Sequence, residues 1–216
     1  MRKDKLLRET QRHRMLETSG INAVLNQNVI SVDIQEAYAD YMGFQASAFG
    51  DMINQNFNEM NSLTFLFNGP DLGFPDEQQY KYWLMETCGI EEDIVDSSNF
   101  YDKGYAFFRY CMDEGIDDDE LVDFIKFMIT HGINDSRSID AEMWKQFQTE
   151  YGYQDIQDLL EPAEDMINIP DLMDFLGRYG SNLLLCGGGI NECLKEVELA
   201  LMVLDKPYNV LTPWTY

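Results

Sequence analysis

Three short runs of this chain are apolar almost without a break: residues 28–33 (NVISVD), 63–69 (LTFLFNG) and 182–187 (NLLLCG). A strand with one face in water alternates apolar and polar side chains, so unbroken runs of this length suit strands covered on both faces, as in a parallel sheet. Parallel neighbours need a crossover between them, usually a helix. The sequence supplies helical patterns in the right places. Phe49, Ile53 and Phe57 recur at four-residue steps within residues 45–60, and Leu194, Val197, Leu201 and Leu204 form a stripe behind the third run. Residues 208–212 (YNVLT) read as a closing strand. Strand, helix and strand in repetition predict an α/β fold with a mainly parallel sheet flanked by helices.

The middle of the chain breaks this rhythm. Residues 117–170 hold amphipathic helical patterns, one with Leu121, Phe124, Ile125 and Met128, another begun by Ser138 with Glu142 near a capping-box spacing, and no strand. They read as an α-helical insertion at about residues 110–170 in a domain of residues 28–216. Before that domain comes a basic arm, residues 1–27. Its first fourteen residues carry Arg2, Lys3, Lys5, Arg8, Arg12 and Arg14 against Asp4 and Glu9, a layout that suggests a helical arm lying on an acidic surface of its own chain or of a neighbouring subunit.

That surface follows from composition. The 216 residues hold 39 Asp and Glu against 15 Lys and Arg, a formal net charge of −24. Such a chain repels phosphate backbones and anionic headgroups, which argues against direct nucleic-acid or membrane binding. Two readings remain: an acidic decoy for a basic protein partner, for which residues 91–123 and the later insertion are the surface to test, or an enzyme whose pocket differs from its surface. No apolar run approaches the roughly 18 residues that span a bilayer. Cys88, Cys111, Cys186 and Cys193 have no C-x-x-C spacing and follow no secretory leader, so reduced thiols in the cytoplasm are expected.

Three residues carry candidate chemistry. Asp33 ends the first strand, and ligands of parallel sheets bind at the carboxyl ends of strands, although an Asp there also serves as a turn former or helix cap. Lys103 lies in an aromatic stretch (NFYDKGYAF, residues 99–107), where it could hold a carboxylate or simply snorkel to the surface. Residues 187–193 (GGGINEC) place a glycine turn, Asn191 as a cap and then Cys193 in the first turn of a helix. The positive end of that helix favours a thiolate, and glycines bring bare N–H groups near a ligand. A buried structural Cys beside a flexible loop is the plainer alternative.

Taken in order, these segments resemble the isochorismatase-like cysteine hydrolases, the superfamily that includes nicotinamidases and N-carbamoylsarcosine amidases. The residues that carry the resemblance are Val32-Asp33-Ile34-Gln35 with Tyr38, Lys103 with Tyr105-Ala106-Phe107, and Gly187 followed by five residues and Cys193-Leu194. The resemblance implies a doubly wound fold and an Asp33–Lys103–Cys193 triad. It also implies an oxyanion hole of the Gly189 and Cys193 N–H groups, and a cis peptide between Gly188 and Gly189. Ile190 and Asn191 stand where the family often has Thr-Asp. Nicotinamidases commonly hold a metal on an Asp and several His residues; this chain has only His13 and His131, neither in the expected stretch, so no metal and no other cofactor is expected. The expected activity is hydrolysis of a small amide or related C–N bond through a thioester on Cys193, with Tyr38, Trp83 and Phe107 lining the substrate pocket. The resemblance also implies assembly of several copies. The alternative is a retired hydrolase frame acting as the acidic decoy.

Overall fold

The computed structural model describes residues 14–16, 21–35, 46–68, 74, 76–103, 115–133, 139–152 and 169–215. Six strands form one sheet: β1 (Arg14–Leu16), β2 (Asn28–Val32), β3 (Ser62–Phe67), β4 (Asn99–Asp102), β5 (Leu183–Gly187) and β6 (Tyr208–Leu211). Their order is β1-β6-β5-β2-β3-β4, and every pairing is parallel. The helices are α1 (Ile21–Val24), α2 (Ala46–Asn56), α3 (Glu77–Glu86), α4 (Glu92–Ser97), α5 (Asp118–Thr130), α6 (Ala141–Tyr151), α7 (Ile169–Gly177) and α8 (Cys193–Val203). The fold class is α/β, as the unbroken apolar runs predict.

The chain divides into two compact units. The first comprises Met1–Gly104, Tyr179–Leu194 and Pro207–Tyr216, and it holds the whole sheet. In it β2, β3 and β5 are buried on both faces. One face, with Val29, Leu63, Phe65 and Leu184, packs with Phe49 and Ile53 of α2, Tyr80 and Leu84 of α3, and Ile94 and Val95 of α4. Phe65 stacks on Phe100 of β4 at 5.3 Å and meets Tyr80 edge-on at 6.2 Å. Each such side chain, fully buried, contributes about 1.5–3 kcal/mol.

The second unit comprises Tyr105–Arg178 and Lys195–Lys206, so it takes in the later turns of α8 as well as the region between β4 and β5. Among its described residues there are helices and no strands. Leu121, Phe124, Ile125 and Met128 of α5 are buried, and Phe124 stacks on Trp144 of α6 at 5.4 Å. Lys206 donates to the Leu176 and Gly177 carbonyls at 3.0 and 2.8 Å, placing a cation on the C-terminal end of α7.

Part of the acidity has a local purpose. Asp76, Asp117 and Asp140 cap α3, α5 and α6 by accepting from backbone N–H groups, and Asp118, Asp119 and Glu120 fill the first turn of α5. Negative charge at these positions opposes the helix dipole.

Three readings change. The arm of residues 1–27, expected to be helical, contains a strand at Arg14–Leu16 paired with β6, followed by the short helix α1; residues 1–13 lie outside the described residues. A sheet edge offers unpaired backbone groups, and pairing with them outweighs helix propensity over so short a stretch. The cap of α6 is Asp140, which accepts from Glu142 and Met143 N–H at 2.9 Å; Ser138 lies outside the described residues. Finally, β4 is a strand that apolar continuity does not reveal, because its four residues are exposed or half-buried.

Candidate active site

Asp33, Lys103 and Cys193 all follow directly on strands or their turns, and all belong to the first unit. Parallel strands in register end at one level, so residues just past those ends meet. The backbone fixes this. The Asp33 N–H donates to the Leu66 carbonyl at 2.8 Å, and the Lys103 N–H donates to the Phe67 carbonyl at 2.9 Å. Each bond continues a ladder by one residue and carries a charged residue past the carboxyl ends of the strands.

There the Lys103 ammonium lies 3.0 Å from Asp33 Oδ2, with both side chains almost wholly out of water. Asp33 is 0% exposed and Lys103 3%. Removing two charges from water is costly, and replacing such a pair by apolar residues often leaves a protein no less stable. A pair kept in this position therefore calls for a reason beyond stability. Asp33 also takes φ +45°, a backbone conformation uncommon for residues with a Cβ and concentrated at functional turns. The segment after it is held at two points. Tyr80 donates its hydroxyl to the Ile34 carbonyl at 2.8 Å, and the Asn68 N–H donates to Gln35 Oε1 at 3.1 Å.

Cys193 approaches from β5. Gly187 and Gly188 have φ +73° and +60°, and a Cβ on Gly187 would lie 2.5 Å from the Val32 carbonyl oxygen. Only glycine fits such a turn pressed against a neighbouring strand. The Gly189 carbonyl accepts from the Glu192 and Leu194 N–H groups, at 2.9 and 3.1 Å, and α8 opens on Cys193 itself. Cys193 is 7% exposed, and its sulfur lies within 4.8 Å of an Asp33 carboxylate oxygen. The three side chains named from the sequence thus come together at one end of the sheet.

The other expected positions fare differently. The peptide between Gly188 and Gly189, expected cis, is trans: there is no cis bond among the described residues, and the two positive-φ glycines reverse the chain instead. Gly189 and Cys193, the expected oxyanion donors, flank the start of α8, where backbone N–H groups gather. Trp83 lies on α3. It lines a cleft of about 520 Å³ with Phe74, Gln78, Tyr82 and Glu86, to which none of the three triad residues contributes. As a residue of α3 it faces Phe74 and Tyr80. Tyr38 and Phe107 lie outside the described residues. His131 caps the C-terminal end of α5, with Nδ1 2.8 Å from the Phe127 carbonyl oxygen and Nε2 3.2 Å from the Gln146 amide.

Two residues at or beside the site escaped the sequence reading. Asn68 follows β3, buried, and a lone Asn after a strand reads as a turn former. Glu196 is buried one turn beyond Cys193 on the same helix; the i, i+3 spacing from a helix-opening Cys was its one available signal.

Burial pushes the Cys88 and Cys186 thiols up to about 12, with the neighbouring Ser31 hydroxyl acting the other way on Cys186. Comparison of the chain with protein-family models, with curated proteins and with solved structures gave no match in any of the three.

Proposed function

We propose that this chain is a cysteine hydrolase of the isochorismatase-like kind, doubly wound, that cleaves a small amide or related C–N bond without a metal. The observation that carries the reading is the meeting of Asp33, Lys103 and Cys193 at the carboxyl ends of parallel strands, with a buried ion pair of 3.0 Å and a thiol within 4.8 Å of it. A nucleophile, a base beside it and a third group that orients the base are what covalent catalysis needs.

In the proposed cycle Asp33 takes the thiol proton of Cys193, and the sulfur attacks the substrate's carbonyl carbon. The N–H groups of Gly189 and Cys193 face the oxyanion. Collapse breaks the C–N bond as Asp33 hands its proton to the leaving nitrogen, leaving a thioester. Water then attacks the thioester and gives a proton to Asp33. The C–S bond breaks, the acid departs, and the proton returns to sulfur. Lys103 fixes the Asp33 carboxylate and balances its charge. Free thiols at Cys88, Cys186 and Cys193 suit a reducing, cytoplasmic setting. No helix among the described residues is long and apolar enough to cross a membrane.

The test is a screen of small primary and secondary amides for release of ammonia or amine, repeated with Cys193→Ala. Loss of turnover in the variant, with an acyl adduct on Cys193 in the intact mass of the wild type, is expected. Turnover that survives Cys193→Ala would sink the proposal.

A further inference from the structure

Asp33 follows β2 and Lys103 follows β4, and β3 runs between those strands. Two strand spacings amount to about 9–10 Å. The two side chains nonetheless meet at 3.0 Å, so their ion pair crosses the carboxyl end of β3. The residue at that end is Asn68. One position beyond the Phe67–Asp102 pair of the β3–β4 register, it stands level with Lys103.

Asn68 is 4% exposed. Its backbone N–H is used, donating to Gln35 Oε1 at 3.1 Å. Its side-chain Oδ1 is buried and has no hydrogen-bond partner among the described residues. A buried amide oxygen left without a donor is costly, and native structures seldom keep one without a use. By register the residue that carries this orphaned acceptor stands level with Lys103, at the carboxyl end of the sheet, where ligands of parallel sheets bind. The charged groups around it leave it one task that they cannot do. Lys103 donates and Asp33 accepts as a charge, whereas a neutral amide oxygen suits a neutral N–H donor.

We infer that Asn68 is a specificity residue: its Oδ1 accepts a hydrogen bond from the N–H of a primary carboxamide on the substrate. This rests on the hydrolase reading and narrows its substrate class from C–N compounds in general to carboxamides. An ester of the same shape would leave Oδ1 unpaired, and a site built around such a bond rejects the analogue that lacks the donor.

Iodoacetamide and methyl iodoacetate test this directly, because both alkylate a thiolate with loss of iodide and only the first carries a carboxamide. Labelling of Cys193 in the full chain is followed by peptide mass spectrometry, and the rate ratio of the two reagents is divided by the same ratio for free cysteine. A normalised preference for iodoacetamide of about tenfold is expected in the wild type, falling to about one in both Asn68→Leu and Asn68→Ala. Near-ultraviolet circular dichroism checks that the variants are folded. A wild-type ratio equal to that of free cysteine overturns the inference and leaves the hydrolase reading standing. A raised ratio that both folded variants retain also overturns it, since another group then holds the carboxamide. If neither reagent labels Cys193 until the protein is denatured, the hydrolase reading itself fails and the inference with it.

Discussion

Cys186 and Cys193 stand seven residues apart in sequence and on opposite sides of one glycine turn. Cys186, the fourth of the five residues of β5, stands in register with Ser31 of β2 within the packed core, and burial pushes its thiol up to about 12. Cys193 opens α8, with the Asp33 carboxylate within 4.8 Å. Both are buried, so burial alone does not separate an inert thiol from a usable one. What differs is polarity: one sulfur belongs to the hydrophobic core cluster, the other opens a helix beside the Asp33–Lys103 pair, with the buried Glu196 one turn along that helix.

The largest break in that comparison comes from removing each thiol in turn. Cys193→Ala is expected to lower amide turnover by at least about 10⁴-fold, the scale seen when a nucleophile is deleted. Cys186→Ala should leave turnover within about threefold of wild type, measured under the same conditions.

Next in size is the ion pair that makes the second environment polar. Lys103→Met strands a buried carboxylate and should cost about 3–5 kcal/mol in urea denaturation. Asp33→Asn combined with Lys103→Met should recover a good part of that loss, because the double variant buries no charge. A double variant as unstable as Lys103→Met would mean that the pair holds the fold for some other reason.

The turn between the two cysteines sharpens the contrast. Gly187→Ala forces a Cβ to 2.5 Å from the Val32 carbonyl oxygen at positive φ and should cost about 1–3 kcal/mol. At Gly189 the nearest contact of an added Cβ is 3.2 Å, to the flexible Glu192 side chain, so Gly189→Ala should cost less than Gly187→Ala in the same denaturation series.

Smallest at neutral pH, and visible only in alkali, is a pH dependence. The folded-state value of Cys186 is raised from 9.0 to about 12, so its contribution to stability is complete below pH 9 and is lost as pH rises from 9 towards 12. In that window the thiol should remove up to about 1.4 kcal/mol per pH unit. Denaturation midpoints of wild type and Cys186→Ala should therefore converge as pH rises above 9, while their difference stays constant from pH 7 to 8.

Legibility in the sequence followed the same physics. Strands β2, β3, β5 and β6 could be read because both faces of a buried strand must be apolar, and α2, α5 and α8 because one stripe of a helix must be. Strand β4 could not, since its four residues lie half in water and mix Asn and Asp with two aromatics. Strand β1 is too short to carry a pattern. Asp33, Lys103 and Cys193 were named only through the order of three weak motifs, and what joins them is strand register, which no local pattern encodes. The backbone at Gly188 was misjudged for a related reason. Glycine announces an unusual turn but not which one, and positive φ served where a cis bond was expected. Asn68 was invisible because its meaning lies in a missing partner.

The central claim is that the ion pair and the helix end make Cys193 a nucleophile. Its most direct test is the rate at which a small neutral disulfide reacts with each cysteine of the native protein at pH 7, resolved by peptide mass spectrometry, in wild type and in Asp33→Asn. The account predicts that Cys193 reacts far ahead of Cys88 and Cys186 and slows at least about tenfold in Asp33→Asn. A Cys193 as silent as Cys186 until the protein unfolds, or one indifferent to Asp33→Asn, would contradict it.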